Sequence, residues 1–218
     1  MARLALAAAL MLAMLGNDQT ATALIEKYPG LQSHEKAEVL RAIMKLSRTR
    51  FRELAAQALL TTDSTLIGAA VQGLQEEATP EAITLLTDAL TKSQNPYTWS
   101  YVSNALGMLG TPEARAALLL ARDSSQKEKQ QYAVSALAQM RQRSPGFQYY
   151  YQGQALSRQK KFKEATAQFD LAIQLDPQLA EAFSSRADAH LQQKKYRESA
   201  QDFAKAYELD PYNSVALT

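Results

Sequence analysis

Apolar residues along the chain fall in short segments of similar length, separated by polar residues, glycines and prolines. Alanine, leucine and glutamine dominate, while valine and isoleucine are sparse. This favours helix, because straight-chain side chains lose little rotamer freedom there. The pattern predicts an all-α protein in which short helices alternate with tight turns. The predicted helices span 3–15, 18–28, 34–46, 50–60, 65–76, 80–91, 97–109, 112–122, 127–141, 147–158, 162–175, 180–192 and 196–208.

The C-terminal third contains an internal repeat with a constant interval. Five residues recur 34 positions later: Phe169, Ala172, Leu175, Asp176 and Pro177 return as Phe203, Ala206, Leu209, Asp210 and Pro211. Phe162 and Glu164 recur at the same interval as Tyr196 and Glu198. One interval shared by seven positions indicates a true repeat.

This repeat resembles the tetratricopeptide repeat, a helix–turn–helix unit. In that family small residues let the two helices approach, and large residues fill the space between repeats. The small positions are Gly153, Ala165, Ala172, Ala187, Ser199 and Ala206, and the large ones are Tyr149, Leu156, Phe169, Phe183, His190 and Phe203. Gln152 and Arg186 stand where the family usually has leucine, and Leu156 and His190 where it usually has tyrosine. The resemblance implies two units, and the start of a third, within a C-terminal domain at 144–218.

The N-terminal two thirds, residues 1–143, has a different repeat. Thr79-Pro80-Glu81-Ala82 recurs 32 residues later as Thr111-Pro112-Glu113-Ala114. Each copy suits a helix start, because threonine caps, proline fits the first helical position and glutamate complements the helix dipole. These units resemble HEAT repeats of a short bacterial kind. The expected fold is therefore an α-solenoid of antiparallel helix pairs, HEAT-like first and tetratricopeptide-like after Arg143.

The apolar run from Leu4 to Leu15 permits two interpretations. At twelve residues it is too short to cross a bilayer. It suits a signal peptide over 1–23, with Ala21-Thr22-Ala23 as the cleavage site, which implies a periplasmic or secreted protein. It also suits a first repeat helix in a cytoplasmic protein. Met14-Leu15-Gly16 recurs as Met108-Leu109-Gly110, which favours the helix.

Composition and motifs give no indication of catalysis. The absence of cysteine excludes disulfides and thiolate sites, and His34 and His190 are 156 residues apart, too distant in sequence to predict a metal site. The stretch from Gly68 to Gly73 has the glycine spacing of a phosphate loop, but Leu74 follows where lysine is required. Glu76 and Glu77 are expected on an exposed turn. The sequence therefore predicts no catalytic residue, no cofactor and no metal.

A solenoid exposes a concave surface that its own repeats do not cover. In the tetratricopeptide family the first helix of each repeat lines this groove. The resemblance implies groove positions at Phe147, Tyr150, Gln154, Ser157, Arg158, Glu181, Ser184, Asp188 and Leu191. The first hypothesis is a non-catalytic scaffold or adaptor that binds a protein partner as an extended peptide or a helix.

Two other hypotheses remain open. The basic segment 141–163, which also contains Phe147 and Tyr149 to Tyr151, suits nucleic acid or another polyanion, although the net charge of +2 does not favour this. Alternatively, the chain is a structural subunit that docks or self-associates through solenoid ends lacking a polar cap. The aromatic residues Tyr97, Trp99 and Tyr101 suit either packing or binding, with packing favoured for Trp99 and Tyr149.

Overall fold

The structure, a computed structural model, describes residues 18–211, with side chains from Thr20 onward. Within this range twelve α-helices and a 3-10 turn at Tyr28–Gly30 occur, and no strand. The helices are α1 (Asp18–Lys27), α2 (Ser33–Leu46), α3 (Arg48–Leu59), α4 (Ser64–Glu77), α5 (Pro80–Lys92), α6 (Pro96–Leu109), α7 (Pro112–Arg122), α8 (Lys127–Arg143), α9 (Phe147–Arg158), α10 (Phe162–Leu175), α11 (Ala180–Gln192) and α12 (Tyr196–Leu209). The predicted helix or signal peptide near the N-terminus and the start of a third repeat after Pro211 lie outside these residues.

Every predicted helix inside the described range is present, and four of them begin after a side chain that accepts a hydrogen bond from the first turn. Thr79 Oγ1 accepts a hydrogen bond from the backbone N–H of Ala82 at 3.3 Å. Thr111 Oγ1 accepts one from Ala114 at 3.2 Å. The predicted helix starts at both copies of the Thr-Pro-Glu-Ala motif are therefore confirmed.

The chain divides into two compact units between Leu137 and Ala138, inside α8. In the first unit α2, α4 and α6 pack side by side in one row, while α3, α5 and α7 form a second row. Each of the helices α2 to α5 contacts both the helix that follows it in sequence and the helix after that, which is solenoid packing. The all-α solenoid class is thereby confirmed. The division predicted between residues 143 and 144, and the HEAT-like type of these repeats, stay predictions.

The stretch from Gly68 to Gly73 lies inside α4 and contains no loop. A methyl group at Gly73 would lie 2.3 Å from Phe51 Cζ and 2.9 Å from Met44 Sδ, so this glycine allows α2, α3 and α4 to approach. The expectation of an exposed turn at Glu77 is wrong. This residue ends α4, is 8% exposed and lies 3.6 Å from the Arg52 guanidinium.

In the second unit α9 pairs with α10 and α11 with α12, while α11 also packs on α9 and α10. The predicted small residues sit at the close approaches. A Cβ at Gly153 would lie 2.5 Å from the ring of Phe169, and Ala165 and Ala172 are fully buried. The helix–turn–helix packing implied by the 34-residue repeat is therefore present.

Arg186 and His190, which both depart from the tetratricopeptide pattern, lie beside the carboxylate of Asp202 in the second repeat. Arg186 on α11 donates to both carboxylate oxygens of Asp202 on α12, at 2.8 and 2.6 Å. The same guanidinium donates to Asp170 on α10 at 2.6 Å, and His190 Nε2 lies 3.8 Å from Asp202. Asp202, followed by Asp170, raises the pKa of Arg186. An ion-pair network thus joins three helices where apolar packing is usual.

Candidate functional site

The nine predicted groove residues lie on α9 and α11, and they differ in accessibility. Phe147 is 8% exposed and packs on Ala172, Leu179 and Ala182, while Ser184 is fully buried and donates to the carbonyl of Glu181 at 3.2 Å. These two residues contribute to packing rather than to accessible surface. The half-buried members are Tyr150, Gln154, Ser157 and Glu181, and the exposed members are Arg158, Asp188 and Leu191.

Tyr150 connects the core of the repeats with their surface. Its ring stacks on Phe147 at 5.7 Å and lies 6.3 Å from the ring of Phe169. Its hydroxyl accepts a hydrogen bond from Gln154 Nε2. Burial, and then the nearby carboxylate of Glu181, raise the pKa of the Tyr150 phenol. The hydroxyl therefore stays protonated at neutral pH and can donate a hydrogen bond.

Asp188 is an exposed carboxylate on α11 without a compensating cation. Partial burial raises its pKa, and no ion pair involves it within residues 18–211. On α9, the hydroxyl of Ser157 is shielded from solvent and has no hydrogen-bond partner among the described atoms. A bound peptide that donates hydrogen bonds or carries a basic side chain would compensate Asp188.

Arg141, the first cation of the basic segment 141–163, takes part in packing within the second unit. Its Nη1 lies 3.5 Å from Glu181 Oε1, and its guanidinium lies 5.6 Å from the centre of the Phe147 ring. Sequence reasoning missed this pair, because 40 residues separate its members. Tyr149 packs against the core cluster as predicted, whereas Tyr151 is 56% exposed.

The first unit has an exposed aromatic surface of its own. α6 contains no charged residue and exposes Tyr97 and Tyr101. An open cleft between α6 and α8 is lined by Pro96, Tyr97, Glu128, Gln131, Tyr132 and Ser135. Trp99 packs inside instead, as predicted, and its Nε1 donates to the carbonyl of Ser93 at 2.8 Å.

No cluster of three or more acidic, histidine or cysteine side chains in residues 18–211 is placed to hold a metal ion. His34 is exposed at the start of α2, and His190 packs beside Asp202. Over the same part of the chain, every helix is too short or too polar to cross a membrane.

Residues 146–179 and 180–213 each match the tetratricopeptide repeat family model. Together they cover about a third of the chain, and they coincide with the two units implied by the 34-residue interval. A protein-interaction role is typical of this family, so the match indicates protein partners. The HEAT-like assignment of residues 1–143 has no such match.

Comparison with curated proteins gave no significant match. Among solved structures, one titled "Crystal structure of MamA protein" is 16% identical to this chain. The alignment covers 88% of this chain and 93% of that chain, with a TM-score of 0.29. These values are too low to support an inference about function.

Proposed function

We propose that this protein is a non-catalytic interaction scaffold, and that α9 and α11 bind an extended segment of a partner protein. Asp188 carries the proposal, because it is an accessible carboxylate whose pKa is raised by burial and which no cation offsets. Leaving a partly desolvated charge unpaired costs free energy, which a partner's donor would recover.

The neighbouring side chains define what such a segment contains. Leu191 is 42% exposed and offers apolar contact, while Tyr150 and Gln154 offer hydrogen bonds. Arg158 is exposed near the end of α9 and adds a positive charge. This mixture suits a peptide with a basic residue for Asp188 and an apolar residue for Leu191. It does not suit the clamping of a terminal carboxylate, because the groove contains a single arginine and no lysine.

The test is a pull-down with the intact chain, followed by a titration against each captured partner. We expect Asp188→Ala and Arg158→Ala each to weaken binding at least tenfold, because each removes a charge proposed to contact the partner. Both side chains are exposed, so neither substitution should affect folding. Tyr150→Phe tests the hydroxyl alone while keeping the ring contacts. Tyr207→Ala is the matched control, since Tyr207 is 53% exposed on α12, outside the groove positions.

Unchanged binding by the Asp188 and Arg158 variants, together with circular dichroism spectra like that of the unmodified chain, would refute the groove. Loss of binding on changing Tyr97 and Tyr132 instead would assign the partner to the cleft between α6 and α8. A light-scattering mass that doubles with concentration and is unaffected by the groove variants would favour self-association.

A further inference from the structure

The turn inside each tetratricopeptide repeat has the same basic composition. Gln159-Lys160-Lys161-Phe162-Lys163 joins α9 to α10, and Gln193-Lys194-Lys195-Tyr196-Arg197 joins α11 to α12, 34 residues later. The backbone repeats as well, because Lys161 N–H donates to the carbonyl of Leu156 at 3.0 Å and Lys195 N–H donates to that of His190 at 2.9 Å. The two turns therefore present their cations in equivalent positions.

The structure brings these two turns together. Gln193, in the second turn, donates from Nε2 to the carbonyl of Phe162 at 3.2 Å and to Thr166 Oγ1 at 2.9 Å. Phe162 directly follows Lys161, so the second turn rests on the first. The result is one surface, the lysine ridge, formed by Lys160, Lys161, Lys163, Lys194, Lys195 and Arg197.

The charge of the lysine ridge is not balanced by the protein. All six side chains are exposed, and none takes part in an ion pair within the described range. The exposed carboxylates Glu164 and Glu198 follow the turns and leave a net charge of +4. The net charge of the whole chain is +2, so the rest of the sequence, without these eight residues, is slightly acidic.

The lysines at these turns are not the residues that the local backbone favours. Lys160 and Lys194 both have a φ of 61°, a left-handed conformation that glycine adopts at lower cost. Lys161 and Lys195 occupy the N-cap positions of α10 and α12 without a capping hydrogen bond from the side chain. A positive charge there opposes the dipole of the helix that follows, although it is favourable for the C-terminus of the helix before it. Cations at strained or uncapped positions that recur in both repeats are consistent with a role in binding.

We propose that the lysine ridge binds the phosphate backbone of nucleic acid, independently of base sequence. This class of ligand gains affinity from charge neutralisation and counterion release alone, which is all that exposed lysines on two turns supply. The ridge offers no stacking platform, because Tyr196 is its single exposed aromatic ring. Anionic lipid headgroups also attract exposed lysines, but stable attachment to a membrane needs a second, apolar signal, which the single exposed ring of Tyr196 does not supply. Surface ion pairs with an acidic peptide contribute little.

The cations of the lysine ridge are a different set from those of the basic segment 141–163. Arg141 pairs with Glu181, while Lys194, Lys195 and Arg197 lie outside 141–163 and complete the ridge. The lysine ridge also shares no residue with the groove proposed for a protein partner. Binding at one surface can therefore be tested without altering the other.

The experiment measures fluorescence anisotropy of a labelled 25-base-pair DNA duplex titrated with the intact chain at several KCl concentrations. Six neutralised phosphates predict a slope of about −5 for log affinity against log salt. Two duplexes of different sequence should bind equally. Changing Lys160, Lys161, Lys194 and Lys195 to glutamine should reduce the slope to about −2 and the affinity at least tenfold.

The matched control removes the same charge elsewhere, by changing the exposed Lys27, Arg41, Lys45 and Arg48 to glutamine. This control variant should leave the slope of log affinity against log salt within one unit of the value for the unmodified chain. Equal losses in both quadruple variants would show that net charge alone decides binding and would overturn the proposal. Vesicles containing phosphatidylserine and a polyglutamate peptide are the competing ligands, and binding to either without binding to the duplex would also overturn it.

A structural role for the lysines is tested by Lys160→Gly with Lys194→Gly. This variant should melt at a higher temperature, because glycine relieves the left-handed backbone, and it should bind DNA with a slope lower by about two. Higher stability with unchanged DNA binding would refute the proposal. Failure of the groove variants to lose a protein partner has no bearing on this result.

Discussion

Replacing Arg186 tests how burial, rather than distance, decides the strength of an ion pair. Arg186 donates to Asp202 and Asp170 at the same shortest distance of 2.6 Å. The Asp202 side chain is 9% exposed and that of Asp170 is 56% exposed. In Arg186→Ala the Asp202 carboxylate, whose side chain is 9% exposed, loses its guanidinium partner, and His190 Nε2 lies 3.8 Å away. Breaking a buried pair costs about 3–5 kcal/mol. We expect about 3 kcal/mol, because the Arg186 side chain is itself 20% exposed.

Two comparisons separate the contributions within this network. Asp170→Ala removes an equally short contact from an exposed site and should cost about 0.5 kcal/mol, since water screens it. Arg186→Leu combined with Asp202→Leu removes both buried charges. It should cost less than about 1 kcal/mol, because apolar replacement of a buried pair is often close to neutral.

The assay is native-state hydrogen exchange of amides in α11 and α12, supported by urea denaturation followed by circular dichroism. Emission from Trp99, the single tryptophan, reports on the folded first unit and should be the same in every variant without denaturant. Equal costs for Arg186→Ala and Asp170→Ala would refute the reasoning, because distance would then outweigh burial. A leucine pair as damaging as Arg186→Ala would refute it as well.

Three further predictions concern glycine positions and helix caps in the first unit, each measured by urea denaturation. Gly73→Ala should destabilise by about 1–2 kcal/mol, because its methyl group meets Phe51 at 2.3 Å. Gly68 lies on the same helix, α4, and a methyl group there would lie 3.8 Å from Tyr101 of α6, so Gly68→Ala should stabilise by up to about 1 kcal/mol. Equal effects of the two substitutions would contradict the packing argument. Ala78→Gly should stabilise by about 0.5–1 kcal/mol, because Ala78 directly follows α4 with a φ of 51°. Gly110 directly follows α6 with a φ of 69°, so Gly110→Ala should destabilise. The same sign for both would exclude this backbone explanation. Asp63→Ala should cost about 1 kcal/mol at pH 7, since Asp63 accepts from the N–H groups of Thr65 and Leu66 at the start of α4. A hydrogen bond from Ser33, together with these backbone donors, lowers the pKa of Asp63 below its ordinary value of 3.8. Its stabilising effect is therefore present above that value and lost as the pH falls through the lowered pKa, so the difference from Asp63→Ala should shrink on acidification; Asp63→Asn keeps the cap and should remove this pH dependence.

Local sequence signals predicted the helices, because each signal acts within a few residues of the backbone that it shapes. Thr79 and Thr111 cap the helices that follow them, and the 34-residue interval placed all four helices of the tetratricopeptide repeats. The groove positions followed from register alone, so their accessibility was beyond prediction. Phe147 is a groove position by register but is buried by Leu179 and Ala182, which lie more than thirty residues away in sequence.

Contacts between distant residues account for what sequence reasoning missed. Arg186 looked like a weakened packing position, because nothing local indicates that Asp202 and Asp170 converge on it from two other helices. Sequence proximity separates the two lysine turns, because it groups Lys160 with Arg141 rather than with Lys194. In a repeat protein, residues about one period apart become spatial neighbours, and the contact between Gln193 and Phe162, 31 residues apart, shows this at the turns. Charges that recur at the repeat interval therefore combine into one surface, and a charge count taken along a contiguous segment underestimates the field of that surface.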